Sequence, residues 1–425
     1  MNMAVYRGLS RLLGPALWLR SVWRYRDYPD QRRARAQRWG YVTAPPTAGS
    51  VVWLHAASVG EARAVAPLLQ ALLDEGHCVH VTTNTPTGWQ AVYARFGDAI
   101  TQSYPPLDTP GAVNRFLDRL RPAAAIRVEL ELWPNLLHAL QARGIPSALV
   151  NARLSERSLS AYQRLGGLME QVLGCVDWVG AQSQADGQRL QALGLPAQRL
   201  EVTGNLKFDQ PVDQTQVEAG QQWRARFAAE RPVWVAASVR DGESEFVLEA
   251  HARLLERYPE ALLLLVPRHP ERFQWPALPQ HWGQQATLRR SQGDLVGPQT
   301  TVLLGDTMGE LTHYLAAADV VFMGGSLVPV GGHNPLEAAA LGLPIIMGTH
   351  VFNFAEVDAL LAAAGGRYQV SDAAELAATL VQLFDDAKTR RQVGARARTV
   401  VDAHRGAAER SLRSLNAHLN LAGLQ

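Results

Sequence analysis

The chain has almost no cysteine: Cys78 and Cys175 are its only two, far apart and each among apolar neighbours. That excludes a disulfide framework and fits buried thiols in a reducing compartment. Long apolar runs are missing too. The longest uncharged run near the amino terminus, Leu12 to Leu19, is far short of the ~20 residues that cross a bilayer. No small-residue cleavage site follows it, and arginines lie within and after the segment, which argues against a secretory leader. No G-x-G-x-x-G follows the first strand-like run and no G-x-x-x-x-G-K-[ST] occurs. A dinucleotide oxidoreductase and a P-loop NTPase are therefore disfavoured. The absence of a D-x-D pair gives no signal for a metal-clamped sugar nucleotide. Net charge is only +2, so the molecule as a whole is not a polyanion binder and no nucleic acid partner is expected.

What is present describes a globular protein, with 47% apolar and 19% charged residues. At 425 residues the chain exceeds one core, and two domains of about 200 residues are the natural division. Charge is uneven. Residues 1–40 carry Arg7, Arg11, Arg20, Arg24, Arg26, Arg32, Arg33, Arg35 and Arg38 against only Asp27 and Asp30. Trp18 and Trp23 beside these arginines suit a segment lying in the interface of an anionic leaflet. The competing reading is an amphipathic helix packed on its own domain.

From residue 50 to about 208, strand-like runs alternate with helical ones, which predicts a parallel sheet covered on both faces. VVWLHAAS ends at Ser58-Val59-Gly60-Glu61, a capping-box spacing that opens a helix. Glu61 has two readings: a carboxylate that bonds the Ser58 N–H and does nothing else, or a base at a strand's carboxyl end, where ligands of such sheets sit. Glu129 and Glu131 lie two apart in a strand-like run and are expected to share one face. Such a pair is costly to bury unless it meets cations or hydrogen-bond donors, and Lys207 and Arg153 are candidate partners. His77, Cys78 and His80 do not make a metal site, because the two histidines fall on opposite strand faces.

A linker-like stretch covers Asp209 to Gln222, after which the opening pattern returns. Val52-Trp53-Leu54 to Ser58-Val59 is echoed by Val233-Trp234-Val235 to Ser238-Val239, which predicts two similar α/β halves. Three strand ends in the second half carry polar groups: Arg268-His269, Met308-Gly309-Glu310, and Asn334-Pro335-Leu336-Glu337 behind the glycines 324, 325, 331 and 332. A strand, a glycine loop with Gly325 and Ser326, and a helix capped by Asn334 predict backbone N–H groups aimed at a phosphate. Thr307 to Glu310 repeats the capping-box spacing. Arg268 would take the phosphate, and Glu310 or Glu337 the ribose hydroxyls.

Together ASVGE (57–61), TTNTPTG (82–88), ELWPN (131–135), NARLS (151–155), GNLKFD (204–209), VPRHPER (266–272), GDTMGEL (305–311) and GGSLVPVGGHNPLEAAA (324–340) resemble the bacterial transferases of 3-deoxy-D-manno-octulosonic acid (Kdo). The run before ELWPN departs from the family pattern at Arg127 and Leu130 but keeps both acids. The resemblance implies an α/β GT-B fold, two Rossmann-like domains facing a central cleft. It implies a membrane-associating segment over 1–40, an acceptor domain over 41–210 and a CMP-sugar domain over 211–425, with the last helix free to return to the first domain. It implies transfer of Kdo from CMP-Kdo to lipid IVA at the cytoplasmic face of the inner membrane, inverting and without a metal or other cofactor. Glu61 matches the general base; Glu131 and Lys207 match transition-state stabilisers. Arg268, His269, Met308, Gly309, Glu310, Gly325, Ser326, Asn334, Pro335, Leu336 and Glu337 match the CMP side. Two alternatives stay open at this level: another GT-B transferase or epimerase using a UDP-sugar, and a catalytically silent nucleotide-binding protein at the membrane.

Overall fold

A computed structural model describes residues 2–24, 26, 30–45, 49–273, 287–293 and 296–424; Asp27 of the basic segment lies outside them. The chain forms two compact units, Met1–Gln210 with His404–Gln425, and Pro211–Ala403.

The first unit is built on a seven-stranded parallel sheet. Its strands are β1 (Val51–His55), β2 (Cys78–Thr82), β3 (Thr101–Ser103), β4 (Pro122–Val128), β5 (Ser147–Ala152), β6 (Trp178–Ala181) and β7 (Leu200–Val202), in the order β3-β2-β1-β4-β5-β6-β7. The second unit has β8 (Val233–Val239), β9 (Leu262–Pro267), β10 (Thr287–Arg289), β11 (Val302–Leu304), β12 (Val320–Met323), β13 (Ile345–Met347) and β14 (Arg367–Gln369), in the order β10-β11-β9-β8-β12-β13-β14. The strands read as near-continuous apolar runs because helices cover both faces of a parallel sheet. The order reverses between β1 and β4 and again between β8 and β12, and ligands of such sheets bind at these reversals.

The sequence echo is structural. β1 and β8 each lead their sheet, and Trp53 and Trp234 sit at the same place in them, both fully buried. A buried indole N–H needs an acceptor. Trp53 donates to Thr82 Oγ1 at 2.9 Å and Trp234 to His251 Nδ1 at 3.2 Å.

Helix Ala407–Leu419 belongs to the first unit. Its Ala407, Ala408, Leu415 and Leu419 join the core formed by Leu68, Leu69 and Leu72 of helix Val59–Asp74. Asp209 fixes the approach by accepting from the N–H groups of Gly406 at 2.7 Å and Ala408 at 2.6 Å.

The first helix, Met3–Arg24, has two different sides. Tyr6 donates to Asp108 at 2.9 Å and Ser10 accepts from Asn135 at 3.0 Å, which fastens one side to the first unit. Leu9, Leu12, Leu13, Leu19 and Trp23 are exposed on the rest, with Leu12 at 78% and Trp23 at 70%. Packing on its own domain therefore uses only part of the helix. Among the described residues no helix is long and apolar enough to cross a membrane.

Candidate functional site

In the first unit the reversal point gathers acids. Ser58 caps helix Val59–Asp74, accepting from the Glu61 N–H at 3.3 Å. The Glu61 carboxylate turns back, taking the Ser58 hydroxyl at 3.0 Å and the Ala57 N–H at 2.8 Å. The backbone donor is thus one residue earlier than a capping box predicts. Each oxygen keeps a lone pair, so capping orients this carboxylate without consuming it. Burial raises its pKa to about 7; Glu129 and Glu131 push the same way, against the pull of the Ala57 and Ser58 hydrogen bonds.

Glu129 and Glu131 do not share a strand face. β4 ends at Val128, and Glu129 takes a left-handed backbone with φ of 60°. Such a backbone is costly for a non-glycine residue and is concentrated at functional sites. Glu131 Oε2 accepts from the Trp133 indole at 2.7 Å, and its carbonyl accepts from Arg127 Nη1 at 3.0 Å. Burial raises the Glu131 pKa, while Trp133 and Arg127 restrain it. Arg127 is fully buried; burial lowers its pKa to about 10, against the pull of Glu131 and Asp108. His55 is buried beside Trp133, ring centres 4.8 Å apart, and burial together with Arg38 and Arg127 lowers its pKa to about 3, keeping it neutral. Lys207 lies in the short turn Leu206–Asp209, whose Leu206 packs in the same core as the helix carrying Glu61. Asn151, also left-handed with φ of 56°, holds that turn by accepting from the Leu206 N–H at 2.9 Å. His80 bonds Thr101 and Ser103 through its two ring nitrogens, so it is committed to the sheet.

In the second unit the expected nucleotide residues follow β9, β11 and β12, and β8 lies between β9 and β12. Arg268 follows β9, its N–H bonded to Val239 O at 2.9 Å. Met308 is 68% exposed and Gly309 has φ of +85°. Glu310 does not close a capping box. Arg290 grips its carboxylate at 2.9 and 3.3 Å, and the Thr307 hydroxyl adds a bond. Burial alone would raise its pKa, but Arg290 and Thr307 outweigh it and the net shift is downward. Asn334 Oδ1 accepts from the Leu336 N–H at 3.1 Å, opening the short helix Leu336–Ala340; Pro335 lies in the turn between them and Glu337 in the first helical turn. The His269 imidazole lies 3.6 Å from Glu271.

The glycine loop departs most from expectation. Its amides do not point at an empty phosphate cradle. The N–H groups of Gly325, Ser326 and Leu327 donate to the Glu243 carboxylate at 2.6, 2.9 and 2.9 Å, and Arg240 N–H adds a fourth bond at 3.0 Å. Ser326 is fully buried, its hydroxyl donating to Met323 O at 2.5 Å and accepting from Gly348 N–H at 2.8 Å. Gly325 and Ser326 therefore shape the loop from within, with their amides already committed to Glu243. Nothing in the sequence singles out Glu243 as the acceptor of these amides. It follows the echoed Ser-Val of β8 by four residues, where Glu61 follows that of β1 by two, so the echo points to it only loosely.

Two family descriptions match the chain: 3-deoxy-D-manno-octulosonic-acid transferase over residues 33–210 and glycosyl transferases group 1 over 239–400. A 3-deoxy-D-manno-octulosonic acid transferase of Haemophilus influenzae is 39% identical over 397 residues, 92% of each chain. One of Bordetella pertussis is 40% identical over 433 residues, 98% of this chain and 99% of that one. Among solved structures, a glycosyltransferase from Rickettsia africae superposes with a TM-score of 0.58 at 12% identity, covering 88% of this chain and 99% of that one. The UDP complex of S. aureus MnaA gives 0.56 at 16% identity, covering 88% and 97%. At such identities the likeness is one of fold, and that fold is GT-B.

Proposed function

Since the chain belongs to the 3-deoxy-D-manno-octulosonic acid transferase family and is a glycosyltransferase, we propose that it transfers Kdo from CMP-Kdo to lipid IVA with inversion, using Glu61 as general base. The observation that carries this reading is the Glu61 carboxylate: fixed in direction by Ala57 and Ser58, set at the β1–β4 reversal, and raised to about 7. A base with a pKa near the working pH combines ionisation with proton affinity. Glu61 takes the proton of the acceptor hydroxyl as its oxygen attacks the anomeric carbon, and CMP leaves from the opposite side. Glu131, held by Trp133, and Lys207 stabilise the charge that develops. Arg268, His269, Met308 to Glu310 and Asn334 to Glu337 hold the nucleotide, Arg268 contributing most, because a charge-assisted pair is roughly twice as strong as a neutral hydrogen bond.

The test is the mass of the product formed by purified protein from freshly generated CMP-Kdo and lipid IVA, followed across pH. Lipid IVA gains the mass of Kdo, and kcat/KM rises with pH to a plateau above about 7, because only the ionised carboxylate accepts a proton. Absence of product, or competition by UDP as strong as that by CMP, overturns the reading.

The first helix supplies the route to a lipid acceptor. Its exposed Leu12, Leu19 and Trp23, beside Arg7, Arg11 and Arg20, suit an anionic membrane surface, at the cytoplasmic face of the inner membrane in this reading. Burial of a large apolar side chain contributes about 1.5–3 kcal/mol. Replacing Leu12 and Trp23 by serine is therefore expected to weaken co-sedimentation with phosphatidylglycerol vesicles by roughly tenfold or more. Undiminished binding removes this role.

A further inference from the structure

We propose that Arg240 receives the carboxylate of the donor sugar, side by side with Arg268 on its phosphate. This rests on the reading of the donor as CMP-Kdo. Kdo is a sugar acid whose carboxylate is attached to the anomeric carbon, the atom that also carries the phosphate ester. A site for it presents two cationic groups a short distance apart, whereas the uncharged sugar of a UDP-hexose calls for cations only at its diphosphate.

The sheet supplies that spacing. β8 carries a bulge at Ser238, whose φ is 58°, and beyond it Val239 pairs with Pro267 of β9. The Arg268 N–H then bonds Val239 O at 2.9 Å, so Arg240 and Arg268 emerge at the same level from adjacent strand ends. Neighbouring strands lie about 4.8 Å apart, the scale of a phosphate and a carboxylate sharing one carbon centre. A bulge at such a point re-aims the side chain that follows it.

Arg240 is also held in place. Its N–H donates to Glu243 at 3.0 Å, and its carbonyl accepts from the Glu243 N–H at 3.0 Å. Glu243 does not neutralise the guanidinium by an ion pair, because its two oxygens take two backbone N–H groups each. Among the described residues the Arg240 side chain has no ion pair or hydrogen bond. Gly325 lies between its stem and the His333 ring: a Cβ there would meet His333 Cδ2 at 3.0 Å and Arg240 Cγ at 3.6 Å. His333 is kept neutral by burial, and then by the nearby charges of Arg240, Arg268 and His269. Its buried Nε2 has no hydrogen-bond partner. Two arginines at the reversal point, around an imidazole with an unused nitrogen, form a site for an anion with hydroxyls beside it.

The experiment compares donor and nucleotide. CMP carries the phosphate without the sugar carboxylate. In Arg240→Met the KM for CMP-Kdo is expected to rise about tenfold or more, while the inhibition constant of CMP stays within about twofold. Arg240→Lys, which keeps the charge but loses the planar fork, falls between wild type and Met. Arg268→Met weakens CMP-Kdo and CMP alike. An equal loss of both ligands in Arg240→Met and Arg240→Lys, or no change in the donor KM, overturns the assignment while leaving the transferase reading intact. Failure of the wild-type protein to use CMP-Kdo overturns that reading instead.

Discussion

Glu61→Gln is expected to lower transfer by roughly 10²–10⁴-fold while CMP binding, measured by calorimetry, stays at the wild-type level. Gln has nearly the same shape and its carbonyl oxygen accepts one of the two local hydrogen bonds, but it cannot take a proton from the acceptor. Stability gives an independent sign. The folded pKa of about 7 lies above the ordinary 4.5, so the folded state holds the proton more tightly than the unfolded one. Stability therefore falls as pH rises from 4.5 to about 7, and the penalty is constant above. Gln escapes it, so the variant should melt a few degrees higher than wild type above neutral pH, with the gap closing towards pH 4.5. A carboxylate that serves only as a cap gives the reverse pattern: a lower melting temperature and full activity.

The second large effect belongs to Glu243. Its oxygens accept four backbone N–H groups in a site with no exposure to water. Removing one member of such a buried charged network costs on the order of 3–5 kcal/mol. Glu243→Ala leaves the amides of Arg240, Gly325, Ser326 and Leu327 without an acceptor. Glu243→Gln is expected to be nearly as damaging, despite its matching shape. Each oxygen of the carboxylate takes two donors, so the amide must turn its NH₂ towards two N–H groups. Thermal unfolding should show the loss in both variants, and CMP affinity should fall with it because the loop that leads to Asn334 is built on this carboxylate. A Gln variant with wild-type stability would show that the network is dispensable.

The contrast between these two glutamates marks what a sequence can disclose. Ser58 and Glu61 are three residues apart and their mutual bonds are local, so the spacing discloses the pairing, though not that the carboxylate takes the Ala57 N–H. Glu243 acts on amides 82 to 84 residues away, and no spacing rule reaches that far. The same limit applies to the glycine loop. Its glycines were legible, but the use of its N–H groups depended on which distant acid lay beneath them. Alternation of strands and helices disclosed both sheets, since period and length are properties of a single segment. The run to Glu131 looks extended to its end, yet β4 stops at Val128. The Glu129 N–H still bonds Val150 O at 2.8 Å as a strand residue would, and only its left-handed backbone, φ of 60°, reveals that the strand has stopped. For Glu310 the Thr307 spacing suggests a cap, whereas Arg290, just beyond the neighbouring strand β10, holds its carboxylate.

The return of helix Ala407–Leu419 to the first unit sets an order of events during synthesis. The second unit is one continuous insertion, Pro211–Ala403, within a first unit whose two pieces flank it. The ribosome finishes every strand of the first sheet before beginning the second, yet Leu68, Leu69 and Leu72 lack part of their cover until residues 407–419 emerge. The unit made first is thus the last to be completed. For the time needed to translate the intervening residues, on the order of 10–40 s at ~5–20 residues per second, a nascent chain carries an uncovered apolar seam next to the helix that bears Glu61. A chaperone that binds apolar surface has that interval in which to act, and premature termination in the second unit leaves the first one open.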